Sequence, residues 1–185
     1  MDLSAVQSLL RGRRTIATFR PGPVPEAWIE EAVASAILAP NHHRTEPWDF
    51  LLPGPETVAA IVDLNVRLLE EAGRPEAAAA KRERWARMPG WLVLLQRLDP
   101  DPLRRREDYA ACACAAQNLM LELHARGLGS KWTTGAVTRD PRFLRLLGRD
   151  PETWEVVGLF WYGWPEERPP ARRRRGPAEV LHRLP

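Results

Sequence analysis

The sequence predicts a single domain of the α+β or α/β class, spanning residues 1–185. Three apolar runs of strand length are separated by segments with helical periodicity, and the chain starts with a helix and ends in an extended tail. A length of 185 residues suits one domain with a substantial core. Hydrophobic residues make up 44% and charged residues 28% of the chain, which is the composition of a globular protein and argues against wholesale disorder.

Helical spacing and helix-breaking residues define the elements of the first half. Apolar residues at helical spacing from Leu3 to Leu10 predict a first helix, and arginines follow where a helix C-terminus favours cations. Pro25 suits the first turn of a second helix, which we expect to end near Pro40. Beyond it we predict a strand over 48–52, a helix over 55–71 that ends before Gly73, and a polar helix over 75–87 that could form a mobile flap.

A long helix dominates the second half. It runs from Pro102 to Arg126 and is followed by Gly127 and Gly129, glycines of the kind that terminates helices. Around it we predict a buried strand over 91–95, a polar connection without periodicity over 130–139, a short helix over 141–147, a strand over 154–162 and a tail rich in proline and arginine over 165–185.

Several features predict an obligate homodimer. Three strands are few for a stable sheet, so we expect a second chain to complete the structure. The middle of the long helix, residues 110–116, consists almost entirely of small residues, and such a surface lets another helix approach closely. The tail has no apolar periodicity with which to fold on itself. We therefore expect a dimer interface above about 2,000 Å².

Composition and charge exclude several classes of protein. The chain has 27 basic and 24 acidic residues, and without the four arginines Arg172 to Arg175 its net charge would be −1, so we expect no broad nucleic-acid-binding face. No apolar run approaches the roughly 18 residues that a membrane span needs, and no secretory signal is visible, so we expect no membrane partner and a cytoplasmic location. Cys112 and Cys114 lie two apart on a helix, and we expect both to be buried, reduced and unpaired.

Three polar segments interrupt the apolar structure: Arg13-Arg14-Thr15, residues 41–48 and residues 131–135. Taken singly, the arginines could complement a helix dipole, the adjacent histidines could be solvated loop, and the threonines could serve a turn. Together with Ala39-Pro40 and Pro47-Trp48-Asp49-Phe50, however, they form a pattern that resembles the FMN-dependent nitroreductase family, and its compact members in particular. The resemblance spans nearly the whole chain.

The resemblance implies a nitroreductase-like fold, in which helices flank a central, mostly antiparallel sheet, and an intertwined homodimer that holds FMN at its interface. The tail, residues 165–185, would cross to the partner subunit. The cofactor-binding residues implied by the resemblance are Arg13, Arg14, Thr15, His42, Trp132, Thr133, Thr134 and Arg175. The first three would bind phosphate and ribityl oxygens, for which guanidinium forks and a hydroxyl are suited, and His42 would come from the partner subunit.

The implied activity is that of an NAD(P)H-dependent oxidoreductase of the nitroreductase type. Electrons would pass from NAD(P)H through the flavin to a nitroaromatic, a quinone or a similar electron-poor small molecule in a ping-pong cycle, and no side chain is assigned as a catalytic acid or base. The sequence departs from the family pattern at three positions. Ala17 stands where many members have a cation, Leu38 where compact members often have arginine, and Glu46 where glutamine is usual.

Other functions are compatible with parts of the sequence. The same fold could bind FMN for a different, specialised flavin reaction, because a fold does not fix a function. The four tail arginines could bind nucleic acid weakly, although no base-reading or aromatic element accompanies them. A metal site built from His42, His43, Cys112, Cys114 and His124 has unsuitable spacing, and we predict no metal.

Overall fold

The structure is a computed structural model that describes residues 2–185. Its helices are α1 Leu3–Gly12, α2 Glu26–Ala36, α3 Pro55–Glu71, α4 Pro75–Ala86, α5 Pro102–Ala125, α6 Ala136–Arg139 and α7 Pro141–Leu146. Its strands are β1 Trp48–Leu51, β2 Gly90–Arg97, β3 Gly129–Thr133 and β4 Trp154–Gly163. Short 3₁₀ turns occupy His42–Arg44 and Pro177–Glu179.

The strands form one sheet in the order β1-β2-β4-β3, and every neighbouring pair is antiparallel. Trp161 of β4 is the register partner of Trp91 in β2 and of Lys131 in β3. Helices cover both faces of this sheet, so the α+β architecture and the antiparallel sheet expected from the sequence are confirmed. Among residues 2–185, none of the helices combines the length and the hydrophobicity needed to cross a membrane.

The core has two layers, one on each face of the sheet. Alternate residues of β2 serve different layers: Leu92 and Leu94 pack with α2 and α5, whereas Trp91 and Val93 pack with α3, α4, α6 and α7. A strand that is covered on both faces is apolar along its whole length rather than alternating. This explains why the strand predicted over 91–95 appears in the sequence as a continuous hydrophobic run.

The segment 130–139, which the sequence predicted to be an irregular connection, is in fact β3 followed by α6. The strand was missed because it is short, polar and at the edge of the sheet, where one side of the strand has no sheet neighbour. Its residues nevertheless alternate between the layers: Trp132 packs on Phe160 in the α5 layer, and Lys131 lies over Trp161 in the α3 layer. The sheet therefore has four strands rather than three.

The helix that the sequence suggested as a mobile flap is anchored in the core. Ala78 and Trp85 of α4 are buried, and Trp85 makes edge-to-face contacts with Trp91 and Trp161. The weak apolar periodicity of α4 arises because one large side chain supplies most of its buried surface. One tryptophan buries a large apolar area, so it can anchor a helix that has few other buried side chains.

Cys112 and Cys114 are both free, as expected, but only Cys112 is buried. Two positions along a helix differ by about 200° in direction, so a helix with one buried face turns the second cysteine outward. The prediction that Cys114 is buried is therefore wrong. The same geometry leaves Ala110 exposed and buries Ala111 on α5.

Candidate cofactor-binding site

The segment after α1 is attached to the start of β3. The backbone N–H of Ile16 donates to the Ser130 carbonyl at 3.0 Å, and Thr15 forms an isolated parallel bridge with Ser130. Ile16 is buried against Gly129, where an added Cβ would stand 2.6 Å from the Ile16 side chain. These contacts fix Arg13 and Arg14 at the point where α1 ends and β3 begins.

Basic side chains from three parts of the chain gather at this point. Arg13 and Arg14 line a small cavity together with His124 of α5 and Arg168 of the tail. Arg168 donates to the Gly127 carbonyl at 3.1 Å, and its second nitrogen lies 3.5 Å from Nδ1 of His124. None of the three arginines forms an ion pair within residues 2–185. We call these four side chains the anion pocket.

The anion pocket has unused hydrogen-bonding capacity. The terminal nitrogen of Arg14 donates to the carbonyls of Arg11 at 2.5 Å and Arg13 at 2.9 Å, but its Nε is buried and has no partner. Buried polar atoms without partners are uncommon and need an explanation. A bound oxyanion would accept from such a nitrogen, so the chemistry of these donors suits a phosphate group. In the single chain the cavity that they line measures about 10 Å³, which is the space of one water molecule, so these side chains would have to move apart to admit a phosphate.

The pocket is also electrostatically prepared for a negative charge. Burial lowers the pKa of Arg13, and the charges of Arg14 and Arg174 lower it further. Burial lowers the pKa of His124 as well, with contributions from Arg168, Arg13 and Arg14. Each group is therefore harder to keep charged here than in water, and an anion would relieve that cost.

Two of these residues, His124 and Arg168, lie outside the three polar segments of the sequence. His124 lies in the last turn of α5 and fits against α1 because residue 12 is glycine: a Cβ there would stand 2.8 Å from its Nε2. Arg168 precedes the arginine run. Within that run it is the charge of Arg174 that acts on Arg13, whereas Arg175, the predicted ligand, is exposed.

The predicted residues of β3 lie farther along the same strand. Thr133 is half-buried, and Thr134 is exposed at the rim of a groove of about 520 Å³ that Tyr109 and Arg139 also line. At about 3.3 Å per residue, Thr134 is some 13 Å from Ser130. The triplet and the threonines therefore mark the two ends of one elongated strip along β3.

The Trp132 side chain is half-buried and makes contacts within its own chain. Its Nε1 donates to the Val157 carbonyl at 3.1 Å, and its ring packs on Phe160 with centroids 5.4 Å apart. Gly158 makes room for it, because a Cβ there would stand 2.1 Å from Nε1. The indole N–H is thus already used within the chain. The contact of the Trp132 side chain with a cofactor stays a prediction.

The structure does not bring His42 to the anion pocket of its own chain. His42 lies beside Glu107, near the start of α5, whereas His124 lies near the end of that helix. At 1.5 Å per residue the two places are about 25 Å apart. A role for His42 near the triplet therefore requires a second copy of the chain, as the resemblance implies.

The loop that carries His42 is held by a polar network. His43, Arg44 and Glu46 have φ values of 61°, 52° and 45°, in the left-handed region that side chains disfavour. The Asn41 side chain accepts from the Glu46 N–H at 2.7 Å, and the Thr45 hydroxyl donates to the Asp108 carboxylate at 2.5 Å.

Asp108 anchors this loop from below, because it is buried within α5. It was missed in the sequence, where a single aspartate in a helix carries no distinguishing pattern.

The residues at which the sequence departs from the family pattern, Ala17, Leu38 and Glu46, are all exposed in the single chain.

His42, His43 and Glu107 each place one potential ligand atom within 4.8 Å of the others. Both imidazoles are exposed, and their ring centroids are 3.8 Å apart. The expectation that the chain holds no metal remains a prediction, and this is the cluster at which it can be tested. The larger set considered from the sequence is not assembled, because His124 lies at the opposite end of α5.

Comparisons with known proteins point to one family, the nitroreductases. The profile of the Nitroreductase family matches residues 10–164. A Bacillus subtilis protein, YfhC, which carries the name of an NAD(P)H nitroreductase, is 30% identical over 176 residues, covering 92% of this chain and 90% of YfhC.

Solved structures show the same architecture. The nitroreductase-like family protein from Bacillus cereus superposes with a TM-score of 0.86 at 28% identity, covering 100% of this chain and 98% of that one. The FMN-dependent nitroreductase NfnB from Mycobacterium smegmatis, solved in complex with NADPH, has a TM-score of 0.77 at 18% identity, covering 99% and 100% of the two chains. At that identity the second comparison supports the fold alone.

Proposed function

The chain belongs to the nitroreductase family, and from that premise we propose that it is an FMN-dependent oxidoreductase that takes electrons from NAD(P)H. The observation that carries the proposal is the anion pocket, where basic side chains from α1, α5 and the tail meet and no carboxylate is among the lining residues. The buried, unpartnered Nε of Arg14 adds a donor that an FMN phosphate would satisfy.

The residues of the chain divide into those that hold the cofactor and those that shape its surroundings. Arg13, Arg14 and Thr15 hold the phosphate end, and Arg168 and His124 support them. Thr133 and Thr134 lie where the opposite end of an elongated cofactor would reach. When bound, FMN supplies hydride and electron transfer, which no protein side chain can perform. The chain's own contribution is therefore binding, orientation and electrostatics.

The acceptor in this proposal is a small, electron-poor molecule such as a nitroaromatic or a quinone. The groove beside Thr134 combines apolar and aromatic side chains, Leu98, Tyr109 and Trp154, with the guanidinium of Arg139. The aromatic side chains suit a planar molecule, and because the carboxylates of Asp140 and Glu155 also line the groove, its charge does not select for an anion. The name of YfhC points to the same chemistry, and we extend it to this chain as part of the proposal.

The proposal includes a homodimer, because only a second copy can bring His42 to the flavin. If two copies pack α5 against α5 in antiparallel directions, the start of one helix lies beside the end of the other. His42 of one protomer would then lie near the anion pocket of its partner. The exposed small residues of α5, Ala110 among them, allow such close packing.

Flavin binding tests the first part of the proposal. We expect the purified protein to be yellow and to release FMN on denaturation. Replacing Arg13 or Arg14 with alanine removes charge-assisted hydrogen bonds worth about 1.5–3 kcal/mol each and should weaken FMN binding by roughly 10- to 150-fold. Arg87→Ala serves as the control, because Arg87 is exposed and pairs with Glu83. A colourless protein that FMN does not stabilise would contradict the proposal.

Steady-state kinetics test the second part. With NADPH or NADH as donor and a quinone or nitroaromatic as acceptor, double-reciprocal plots at several fixed acceptor concentrations should give parallel lines. Parallel lines arise when both substrates use the same site in turn. Intersecting lines would exclude the ping-pong cycle. A yellow protein that reduces neither class of acceptor would support the alternative, a specialised flavin reaction on the same fold.

A further inference from the structure

Three cations surround a pair of buried tryptophans on the sheet face opposite α5. Trp85 of α4 and Trp161 of β4 are in edge-to-face contact, with ring centroids 5.3 Å apart. The Lys81 Nζ lies 5.8 Å from the Trp85 ring, and the Lys131 Nζ lies 5.3 Å from the Trp161 ring. The guanidinium carbon of Arg84 is 6.0 Å from the Trp161 ring. We call these five side chains the cation–tryptophan cluster.

The cations of this cluster have no acidic partner. Within the part of the chain that the structure describes, none of the three forms an ion pair. The charges that act on Lys81 are those of Arg84 and Arg74, and the charges that act on Lys131 are those of Arg84 and Lys81. The neighbouring charges that lower the pKa of the two lysines are therefore all positive.

The tryptophans of the cluster also lack acceptors. The indole N–H groups of Trp85 and Trp161 are buried without a hydrogen-bond partner. By contrast, the third tryptophan of this layer, Trp91, donates to the Met88 carbonyl at 3.2 Å. Buried donors without acceptors are rare in folded proteins, and two adjacent ones need an explanation. The surroundings of the pair contain an excess of donors and of positive charge.

This arrangement is unfavourable unless something negative is bound. Burial lowers the pKa of Lys81 and of Lys131, and the neighbouring cations lower it further. The faces of the indole rings offset part of the repulsion through cation–π contacts. A bound oxyanion would offset more of it, because a negative charge attracts each of these cations.

The two ammonium groups of the cluster come from the only lysines in the chain. All the other basic residues among the 27 are arginines. Lys81 and Lys131 are far apart in sequence, on α4 and β3, and the fold brings them together. An ammonium is a compact charge with freely rotating donors, and a guanidinium is a rigid fork. The cluster thus offers both kinds of donor to one ligand.

We propose that the cation–tryptophan cluster is a second oxyanion site, which binds the phosphate monoester of a small molecule. Two ammonium groups and one guanidinium match the double negative charge of a phosphate monoester better than the single charge of a carboxylate. The site is distinct from the anion pocket, because Lys131 faces the α3 and α4 layer, whereas the anion pocket lies at the end of α5. The proposal does not depend on flavin binding.

The presence of only two lysines makes the site directly observable. Reductive methylation with ¹³C-formaldehyde labels Lys81, Lys131 and the N-terminal amine, and it keeps their positive charge. In the full-length protein, titration with inorganic phosphate at constant ionic strength should shift the signals of both lysines in a saturable way. The N-terminal amine is not one of the five side chains of the cluster, and we expect its signal to move only with the bulk solution.

Matched variants on the same helix show whether the cluster is responsible. Arg84→Gln removes one cation of the cluster and should raise the dissociation constant for phosphate by at least about threefold. Arg87→Gln removes an exposed arginine that pairs with Glu83 and should leave the dissociation constant unchanged. A linear, unsaturable shift, or a saturable shift that persists unchanged in Arg84→Gln, would overturn the proposal.

Two dinucleotides distinguish free phosphate from a phosphate carried by a larger molecule. NADP⁺ has one phosphate monoester that NAD⁺ lacks. A saturable shift with both inorganic phosphate and NADP⁺, but not with NAD⁺, identifies a site that accepts the phosphate of a dinucleotide. A shift with inorganic phosphate alone identifies a site for free phosphate. If neither ligand produces a saturable shift of the lysine signals, the site does not exist.

Discussion

Asp108 is a buried carboxylate whose hydrogen-bond partner is a hydroxyl group rather than a cation. The Thr45 hydroxyl donates to it at 2.5 Å, and this bond ties the His42 loop to α5. Asp108 acts on its neighbour Cys112: burial and the Asp108 charge raise the pKa of the Cys112 thiol to about 12. An unpartnered Asp108 would therefore be a negative charge in an apolar layer.

Thr45→Val removes the donor to Asp108 and leaves the carboxylate in place, and it also removes the oxygen that accepts from the Asn41 side chain at 3.0 Å. We expect the free energy of unfolding to fall by about 1–3 kcal/mol, the cost of a buried polar group without a partner. Urea denaturation of the apoprotein measures the change. Thr57→Val on α3 is the control, because Thr57 is also half-buried and lies far from the loop in sequence. Equal losses in the two variants would show that the Asp108 bond contributes nothing specific.

His124 should make the stability of the apoprotein depend on pH. Its pKa in the folded chain is lowered by burial and then by Arg168, Arg13 and Arg14. The unfolded chain, with a pKa near 6.5, then binds a proton before the folded chain does, so stability is fully present above about pH 6.5 and falls as the pH drops below it.

The melting temperature measured from pH 8 to pH 5.5 should therefore fall more steeply for the native chain than for His124→Gln. His182→Gln, in the exposed tail, should follow the native curve. Identical slopes for all three proteins would mean that His124 titrates as it does in water. Saturation with FMN should reduce the slope, because a phosphate in the anion pocket favours the protonated imidazole.

At the scale of single elements, β3 and β4 interlock through a tryptophan and a glycine. The Trp132 ring lies over Gly158, where an added Cβ would stand 2.1 Å from Nε1. Gly158→Ala should therefore cost about 1–3 kcal/mol through overpacking. Gly54→Ala is the control, because nothing lies within 4 Å of a Cβ at that position. If denaturant unfolding gives the same free energy of unfolding for both variants, β3 moves to accommodate the added methyl group without a loss of stability.

The elements that could be predicted from the sequence are those with local signals. Helix α3 begins at Pro55 and ends before Gly73 as expected, because proline at the start and glycine after the end are both local signals. Strand β3 and the burial of α4 depend on partners that are distant in the chain. Trp85 is buried because β2 and β4 bring Trp91 and Trp161 to it, and no local pattern contains that information.

The same distinction applies to the candidate site. Arg13, Arg14 and Thr15 are adjacent in sequence, so a motif could identify them together. His124 and Arg168 join them only because Gly12 admits the imidazole and the tail returns across the end of α5. Trp132 stays a predicted flavin contact. Its N–H donates to the Val157 carbonyl, and no sequence motif indicates that partner, because it lies on a different strand.

In the homodimer that we propose, the features at the two ends of α5 would each form half of a cofactor site. The anion pocket lies at its end and the His42 loop at its start, about 25 Å away at 1.5 Å per residue. A twofold axis across α5 would pair unlike ends and complete two equal sites. The tail belongs to this arrangement, since it supplies cations to the pocket at the very end where a partner would approach.

Truncation of the tail tests this arrangement as a whole. The tail leaves the sheet at Pro165, where the Glu166 N–H donates to the Thr18 carbonyl at 3.2 Å, and then places Arg168 on the end of α5 and Arg174 within reach of the Arg13 charge. A chain that ends at Pro165 loses both arginines. We expect it to retain less FMN and to form a weaker dimer, as measured by visible absorbance after gel filtration and by sedimentation equilibrium. A chain that ends at Gly176 keeps the tail arginines up to Arg175, and we expect it to behave as the full chain does. A weaker dimer in this control would show that residues 177–185 contact the partner. If the protein that ends at Pro165 stays dimeric, yellow and active, the tail contributes neither to the pocket nor to the dimer, and the cofactor must be held by α1, α5 and β3 alone.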